Sequence, residues 1–299
     1  MRTDYRLSVR LLGLLLVISI GHACGVADPG PAPSILTVAT SIAPHTWLVE
    51  RIAGDQVVVH TLLRPGESPT THQPSDAQVS RVLSSRVFFR CGVPFESGAW
   101  FRALEGKLRI VDLRDGVATR TMEAHGHDSE STDHSVAAVD PHTWLSPRRL
   151  IIQATLVAET LQQTDPDHAS DYATRLTGVL AELAELDGWI GRTLAPYQGR
   201  AFVVFHPSWG YFADDYGLRQ IAVEIEGKEP SDAELTRRQE RTRVLDLSVV
   251  FVQPQIAGQS ARAAAGAMGA RLETLDPLAP DLVTNLRHAT NSIAGSFHD

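Results

Sequence analysis

The feature that most constrains the fold is a long amphipathic segment in the middle of the chain. Between residues 167 and 194, apolar side chains recur at steps of three and four, the spacing of one helix face. These side chains are Tyr172, Leu176, Val179, Leu180, Leu183, Leu186, Ile190 and Leu194. A helix of this extent would span about 42 Å at ~1.5 Å per residue, the breadth of a whole domain. The pattern therefore predicts one long helix, preceded by a break at Asp165-Pro166.

Short β-branched runs alternate with helical stretches on both sides of this segment. The predicted strands are 35–39, 57–63, 87–89, 202–205, 221–225, 248–252 and 271–275, and the predicted helices are 44–53, 74–84, 147–163, 231–244 and 256–268. Strands that alternate with helices in this way form parallel sheets with crossover connections. The expected fold class is α/β, with two Rossmann-like lobes joined by one long rigid helix. We expect an N-terminal lobe at 34–164, the linking helix at 165–196 and a C-terminal lobe at 197–299.

Residues 123–141 interrupt the alternation. This short acidic segment contains His125, His127 and His134 and has too few apolar residues to build a core. It is predicted to be a mobile loop. Weak binding of extra metal ions by its histidines and a purely solvated polar loop both remain open.

The first residues are typical of an export signal. Arg2, Arg6 and Arg10 precede or adjoin the apolar run 11–20, and small residues follow it. This order predicts a secretory signal peptide at 1–23 and a periplasmic location, because the apolar run is far shorter than the ~20 residues of a membrane span. Cys24 is a candidate lipid anchor, although Gly21 stands where an aliphatic residue is usual. Cleavage to a free form and a Cys24–Cys91 disulfide are the alternatives.

Composition excludes several classes of protein. The chain has 27 Lys and Arg against 35 Asp and Glu, a net charge of −8, and no basic stripe, which argues against binding nucleic acid. Its 2 cysteines cannot build a disulfide scaffold or a Cys₄ zinc site. The sequence has no Gly-rich phosphate loop, no G-x-S-x-G and no H-E-x-x-H, so the common enzyme signatures are missing.

Four residues stand where ligands of a metal ion could meet. His72, His206 and Asp276 each follow a predicted strand, and His142 lies just before a predicted helix. The carboxyl ends of parallel strands are the edge at which open α/β sheets hold ligands. Three imidazoles and one carboxylate complete the shell of a divalent cation such as zinc. Two of these positions belong to each lobe, so a single ion could lie between the lobes.

Several windows around these residues occur together in a characteristic order. They are Thr40-Ser-Ile-Ala-Pro44, Pro65-Gly66 with His72 and Pro74-Ser-Asp76, Asp140-Pro-His-Thr-Trp-Leu-Ser-Pro147, His206-Pro-Ser-Trp-Gly-Tyr-Phe212, Glu229-Pro-Ser231 and Leu275-Asp-Pro-Leu278. From about Ile35 to the C-terminus, the chain resembles the zinc/manganese solute-binding proteins of metal ABC importers. The resemblance implies two α/β lobes bridged by one helix. It also implies metal ligation by His72, His142, His206 and Asp276, with water or Glu67 as alternatives for the fourth ligand.

The resemblance further implies a function without catalysis. We expect one zinc ion in the site and delivery of it to a permease in the inner membrane, by a monomer that could also receive zinc from a periplasmic metallochaperone. Manganese members of the family tend to have Glu at the position of His206, and a nitrogen-rich shell suits zinc better. The alternatives are a manganese or iron carrier of the same fold, a secreted zinc-dependent hydrolase and a periplasmic metal buffer. A hydrolase would need an open coordination position for water, which a His₃Asp shell fills.

Overall fold

The computed structural model describes residues 35–122, 138–223, 248–256 and 258–297. The predicted signal peptide, Cys24, the histidines of the acidic loop and the predicted helix at 231–244 lie outside these residues. Within the described residues, no helix is both long and apolar enough to cross a membrane.

The first lobe is built on a four-stranded parallel sheet. Its strands are β1 (Leu36–Thr40), β2 (Val57–Thr61), β3 (Val87–Arg90) and β4 (Arg109–Asp112), in the order β2-β1-β3-β4. The helices between them are α1 (Ala43–Ala53), α2 (Asp76–Leu83) and the short α3 (Ala99–Arg102). Ser75 and Gln78 form a reciprocal capping box at the start of α2, which explains why this helix begins where it does.

The second lobe repeats this arrangement. Strands β5 (Ala201–Val204), β6 (Arg219–Ala222), β7 (Val249–Val252) and β8 (Arg271–Thr274) are all parallel, in the order β6-β5-β7-β8. The described helices of this part are α6 (Gly210–Asp215), α7 (Gln259–Met268) and α8 (Leu282–Gly295). The residues of β5 and β7 are all buried, as expected for central strands covered on both faces.

Two helices carry the chain between the sheets. They are α4 (Pro147–Thr164) and α5 (Ala169–Leu194), separated by a short turn at Pro166–His168. Helix α5 packs against α4, α1 and α8, so it contacts helices on both sides of the molecule. The fully buried members of its stripe are Tyr172, Val179, Leu183, Leu186, Ile190 and Leu194. The predicted fold class is therefore confirmed, with two parallel α/β lobes and one long helix.

Some elements were not predicted. Strand β4 was not predicted because it lies at an edge of the sheet and Val111 is its only buried residue, so its apolar pattern is weak. Helices α3 and α6 are only 4 and 6 residues long, too short to show a periodic pattern. The 14-residue α8 was also missed, although its buried Leu282, Leu286, Ala289 and Ile293 follow the helical period.

Candidate metal site

His72 lies on the loop between β2 and α2. A turn at Pro65-Gly66 begins this loop, with Gly66 at φ 84°, a conformation that glycine adopts without strain. The turn places Glu67 beside Arg64, and the Glu67 carboxylate accepts from the Arg64 backbone N–H at 2.8 Å. The same carboxylate oxygen lies 3.2 Å from Nδ1 of His72. The imidazole also packs edge-on against Phe95, with ring centroids 5.0 Å apart.

His142 stands directly before the turn that leads into α4. Oδ1 of Asp140 accepts from the backbone N–H of His142 at 3.0 Å and lies 2.8 Å from its Nδ1. The ring also packs against Trp144, with centroids 5.2 Å apart. Helix α4 then begins with the Ser146 side chain as its N-cap. These contacts fix the ring at the start of the helix.

His206 follows β5 by two residues, and its ring meets that of His142. The two ring centroids are 5.4 Å apart and the planes are inclined at 73°. Two imidazoles that share one tetrahedral zinc, with Zn–N bonds of ~2.0–2.1 Å, have centroids roughly 5 Å apart. The pair therefore has a separation at which both rings can bind one ion. One ring comes from each lobe.

Asp276 follows β8 by two residues. Its Oδ1 accepts from the Leu278 backbone N–H at 2.9 Å and from Nε2 of Gln255 at 3.1 Å. The next residue, Pro277, accepts from the Trp144 indole through its backbone oxygen at 2.7 Å. The Asp276 loop is thereby attached to the residue two positions after His142.

The structure brings the four predicted ligands together only in part. His142 and His206 are in ring contact, whereas no three His, Cys, Asp or Glu side chains converge into a metal-binding group within the described residues. His72 and Asp276 lie on loops after β2 and β8. Three of the four predicted ligands therefore follow strands at the carboxyl edges of two parallel sheets.

Burial keeps two of these histidines neutral. It lowers the pKa of His142, although the Asp140 carboxylate opposes the shift. Burial likewise lowers the pKa of His72, and Glu67 opposes it. A neutral imidazole is the form that binds a metal ion. Both rings are thus in a binding-competent state at neutral pH.

Residues that the sequence did not single out hold the region around His142. Thr121 and Val139 form an antiparallel bridge that closes the base of the acidic loop. The Tyr211 hydroxyl of α6 donates to the Asp140 backbone oxygen at 2.8 Å and accepts from the Arg120 backbone N–H at 3.0 Å. The sequence signal that could have pointed to Asp140 and Tyr211 was their presence in the windows that resemble the solute-binding family.

Cys91 bears on the disulfide alternative. It is a free cysteine with no exposed surface, and burial raises the pKa of its thiol. Its backbone N–H donates to the buried Glu96 carboxylate at 2.9 Å. The Cys24–Cys91 pairing stays a prediction, because Cys24 lies outside the described residues.

Comparison with known proteins identifies the family. The family model described as "ZnuA: Zinc-uptake complex component A periplasmic" matches residues 38–296. The chain belongs to this family. A crystal structure of ZnuA has 35% sequence identity and a TM-score of 0.80, over 88% of this chain and 99% of that chain. The predicted resemblance to solute-binding proteins of metal ABC importers is confirmed.

Two curated relatives of this ZnuA-family chain are similar over most of their length. A protein of Chlamydia trachomatis serovar D, named for metal binding, is 29% identical over 93% of this chain and 96% of its own. The manganese-binding lipoprotein MntA of Halalkalibacterium halodurans is 26% identical, over 81% of this chain and 80% of its own. Proteins similar to this chain are thus named for different metals, zinc and manganese.

Proposed function

We propose that this protein binds one zinc ion outside the cytoplasm and delivers it to an ABC importer in the inner membrane. The observation that carries the proposal is the contact between His142 and His206, which joins imidazoles from the two lobes at 5.4 Å. Membership of the ZnuA family supports the same function. His72 and Asp276 complete the proposed shell, because both lie on loops at the carboxyl edges of the sheets.

Zinc is preferred over manganese on the chemistry of the donors. Three imidazole nitrogens and one carboxylate form a nitrogen-rich shell, which suits zinc, whereas manganese favours more oxygen. A manganese carrier remains the second candidate, because the relative MntA is named for that metal. Metal analysis of protein purified without added metal separates the two, and manganese in the native protein would reject the zinc assignment.

We propose a binding role without catalysis. A four-ligand shell leaves no position for an activated water, which a zinc hydrolase requires. Assays for hydrolysis of ester, amide and phosphate substrates by the zinc-loaded protein should show no turnover. Metal-dependent hydrolysis that disappears in a His142→Ala variant would favour the enzyme.

Ligand replacement tests the proposed shell. His142→Ala should weaken zinc binding by orders of magnitude in a competition titration against a chelator. A deletion of residues 123–135 is the matched control, because it removes His125, His127 and His134 and should leave the affinity within about tenfold. Equal losses in the two variants would remove His142 from the site.

The remaining proposals concern the protein in its compartment. We expect an exported monomer, with lipid attachment at Cys24 as the proposed anchor and a periplasmic metallochaperone as a further partner. Mass spectrometry of the mature protein distinguishes an acylated Cys24 from a free N-terminus. Loss of the protein should reduce zinc uptake by the cell at limiting zinc, and unchanged uptake would favour a metal buffer.

A further inference from the structure

Three of the four proposed ligands share one arrangement. In each, one polar atom contacts another residue, and a second polar atom makes no hydrogen bond to any described residue. We infer that Asp140, Glu67 and Gln255 are positioning residues, which select Nε2 of His142, Nε2 of His72 and Oδ2 of Asp276 as the atoms that bind the metal. This inference deepens the proposed function and rests on it.

The contact between Asp140 and His142 is the most developed of the three. A carboxylate can only accept hydrogen bonds, so the 2.8 Å contact selects the tautomer with a proton on Nδ1 and a lone pair on Nε2. Asp140 is 1% exposed, so water does not compete for this contact. Because the same oxygen also accepts from the His142 backbone N–H, both the ring and its backbone are fixed.

Asp140 is itself held from both sides. Its other carboxylate oxygen lies 3.5 Å from Nη1 of Arg120, at the base of the acidic loop. Its backbone oxygen accepts from Tyr211, on the helix that begins four residues after His206. The orientation of the His142 ring is thereby linked to the element that follows the other imidazole of the pair.

In His72, Nε2 is again the ring nitrogen that would bind the metal, and its burial supports this independently. Glu67 lies 3.2 Å from Nδ1, while Nε2 is buried and makes no hydrogen bond to any described residue. A buried ring nitrogen without a partner is costly unless a ligand engages it. Glu67 is 36% exposed, so water competes with its contact and its effect should be smaller than that of Asp140.

Asp276 completes the pattern with a carboxylate. Gln255 and the Leu278 backbone N–H both donate to Oδ1, whereas Oδ2 makes no hydrogen bond to a described residue and is the oxygen that would bind the ion. Binding through one oxygen matches the tetrahedral shell expected for zinc. Partners that orient metal ligands typically change affinity 10–100-fold when removed.

A histidine elsewhere in the chain provides the matched control. Asp165 lies 2.8 Å from Nδ1 of His168, the same separation as in the Asp140–His142 pair, on the turn between α4 and α5. Asp165→Ala therefore removes an equivalent contact from a histidine that is not a proposed ligand. Zinc affinity should stay within about twofold of the unaltered protein.

The experiment combines zinc affinity with ring tautomers in the metal-free protein. Two-dimensional ¹H–¹⁵N spectra of ¹⁵N-histidine-labelled protein at pH 7.5 should show a proton on Nδ1 of His142. Asp140→Ala should shift that proton to Nε2 and weaken zinc binding 10–100-fold in chelator competition. Asp140→Asn retains an acceptor, so it should keep the Nδ1–H form and lose less affinity. Glu67→Gln should lose less than Asp140→Ala.

Two results would overturn the inference. One is a folded Asp140→Ala variant that binds zinc as tightly as the unaltered protein. The other is an Nε2–H tautomer of His142 in the unaltered apoprotein, a measurement that stands even if the alanine variant does not fold. If the unaltered protein binds zinc but the variants do not show the expected losses of affinity, the positioning roles are rejected and the proposed function is not. If it binds no zinc, the proposed function fails with them.

Discussion

An ion pair joins α4 to α6, the helices that follow His142 and His206 of the proposed site. Nη1 of Arg149 donates to both carboxylate oxygens of Asp215 at 2.7 Å, and the Ser146 hydroxyl donates to the same carboxylate. The guanidinium also lies 4.5 Å from the ring centroid of Tyr211. Arg149 is in the first turn of the helix that follows His142. Asp215 ends the short helix that follows His206. The pair therefore connects the segments that carry the two proposed ligands.

Asp215→Ala should destabilise the apoprotein and weaken zinc binding together. The two side chains are 16% and 9% exposed, so the substitution leaves a poorly hydrated cation. Removing one partner of a buried pair costs about 3–5 kcal/mol. Because Arg149 keeps its contact with Tyr211, we expect a smaller loss, about 2–4 kcal/mol. At roughly 2–4 °C per kcal/mol for a chain of this size, Tm should fall by roughly 5–15 °C.

The assay is urea unfolding in the presence of a chelator, combined with zinc affinity. A double-mutant cycle with Arg149→Met should give a coupling energy of about 1–3 kcal/mol. Arg148→Ala is the matched control, because Arg148 pairs with Asp187 at 2.9 Å but is 52% exposed. That pair should contribute about 1 kcal/mol or less. A coupling energy near zero, or unchanged zinc affinity in Asp215→Ala, would refute this role of the ion pair.

Three further predictions concern pH and motion. Burial lowers the pKa of His45 to about 4, so the folded protein does not bind the proton that this side chain binds near pH 6.5 in the unfolded chain. The free energy of unfolding should therefore fall by about 3 kcal/mol between pH 7 and pH 4. Urea titrations of a His45→Phe variant should lack this component. The rise in Tm caused by zinc should be large at pH 7.5 and mostly lost by pH 5, because protons compete with zinc for the imidazoles. Burial lowers the pKa of His142 and of His72, so the loss should begin below pH 6.5, and a rise that is undiminished at pH 5 would count against histidine ligands. Small-angle scattering should give nearly equal radii of gyration for apo and zinc-loaded protein, and a large difference would reveal a hinge.

The sequence predicted the elements whose side chains repeat over several turns or alternate over a whole strand. Helix α5 is the clearest case, since its buried residues belong to the stripe read from residues 172 to 194. The central strands were predicted because β5 and β7 are continuous apolar runs. Given parallel sheets, the positions of His206 and Asp276 at the carboxyl edges followed directly. Short or half-exposed elements such as α6 and β4 lack such patterns.

The contacts across the lobes could not be predicted in the same way. Asp215 pairs with Arg149 over 66 positions of sequence, and Trp144 donates to Pro277 over 133 positions. No local periodicity encodes such a pair, because nothing in the sequence around either residue indicates that the fold will bring the two side chains together. The contact between Asp140 and His142 spans only two residues, yet its effect on the His142 ring depends on the burial of Asp140, which a sequence does not show.

The distribution of these contacts also indicates which part of the proposed site can move. The segments of His142, His206 and Asp276 are held across the lobes, through the Asp215 ion pair, the Tyr211 hydroxyl and the Trp144 indole. The loop of His72, by contrast, is attached within its own lobe by the Phe95 ring and the Glu67 carboxylate. Displacing this loop breaks none of the three interlobe contacts, whereas displacing any other proposed ligand strains at least one of them. We therefore expect the metal to enter and leave by displacement of the His72 loop, which leaves these three contacts unbroken.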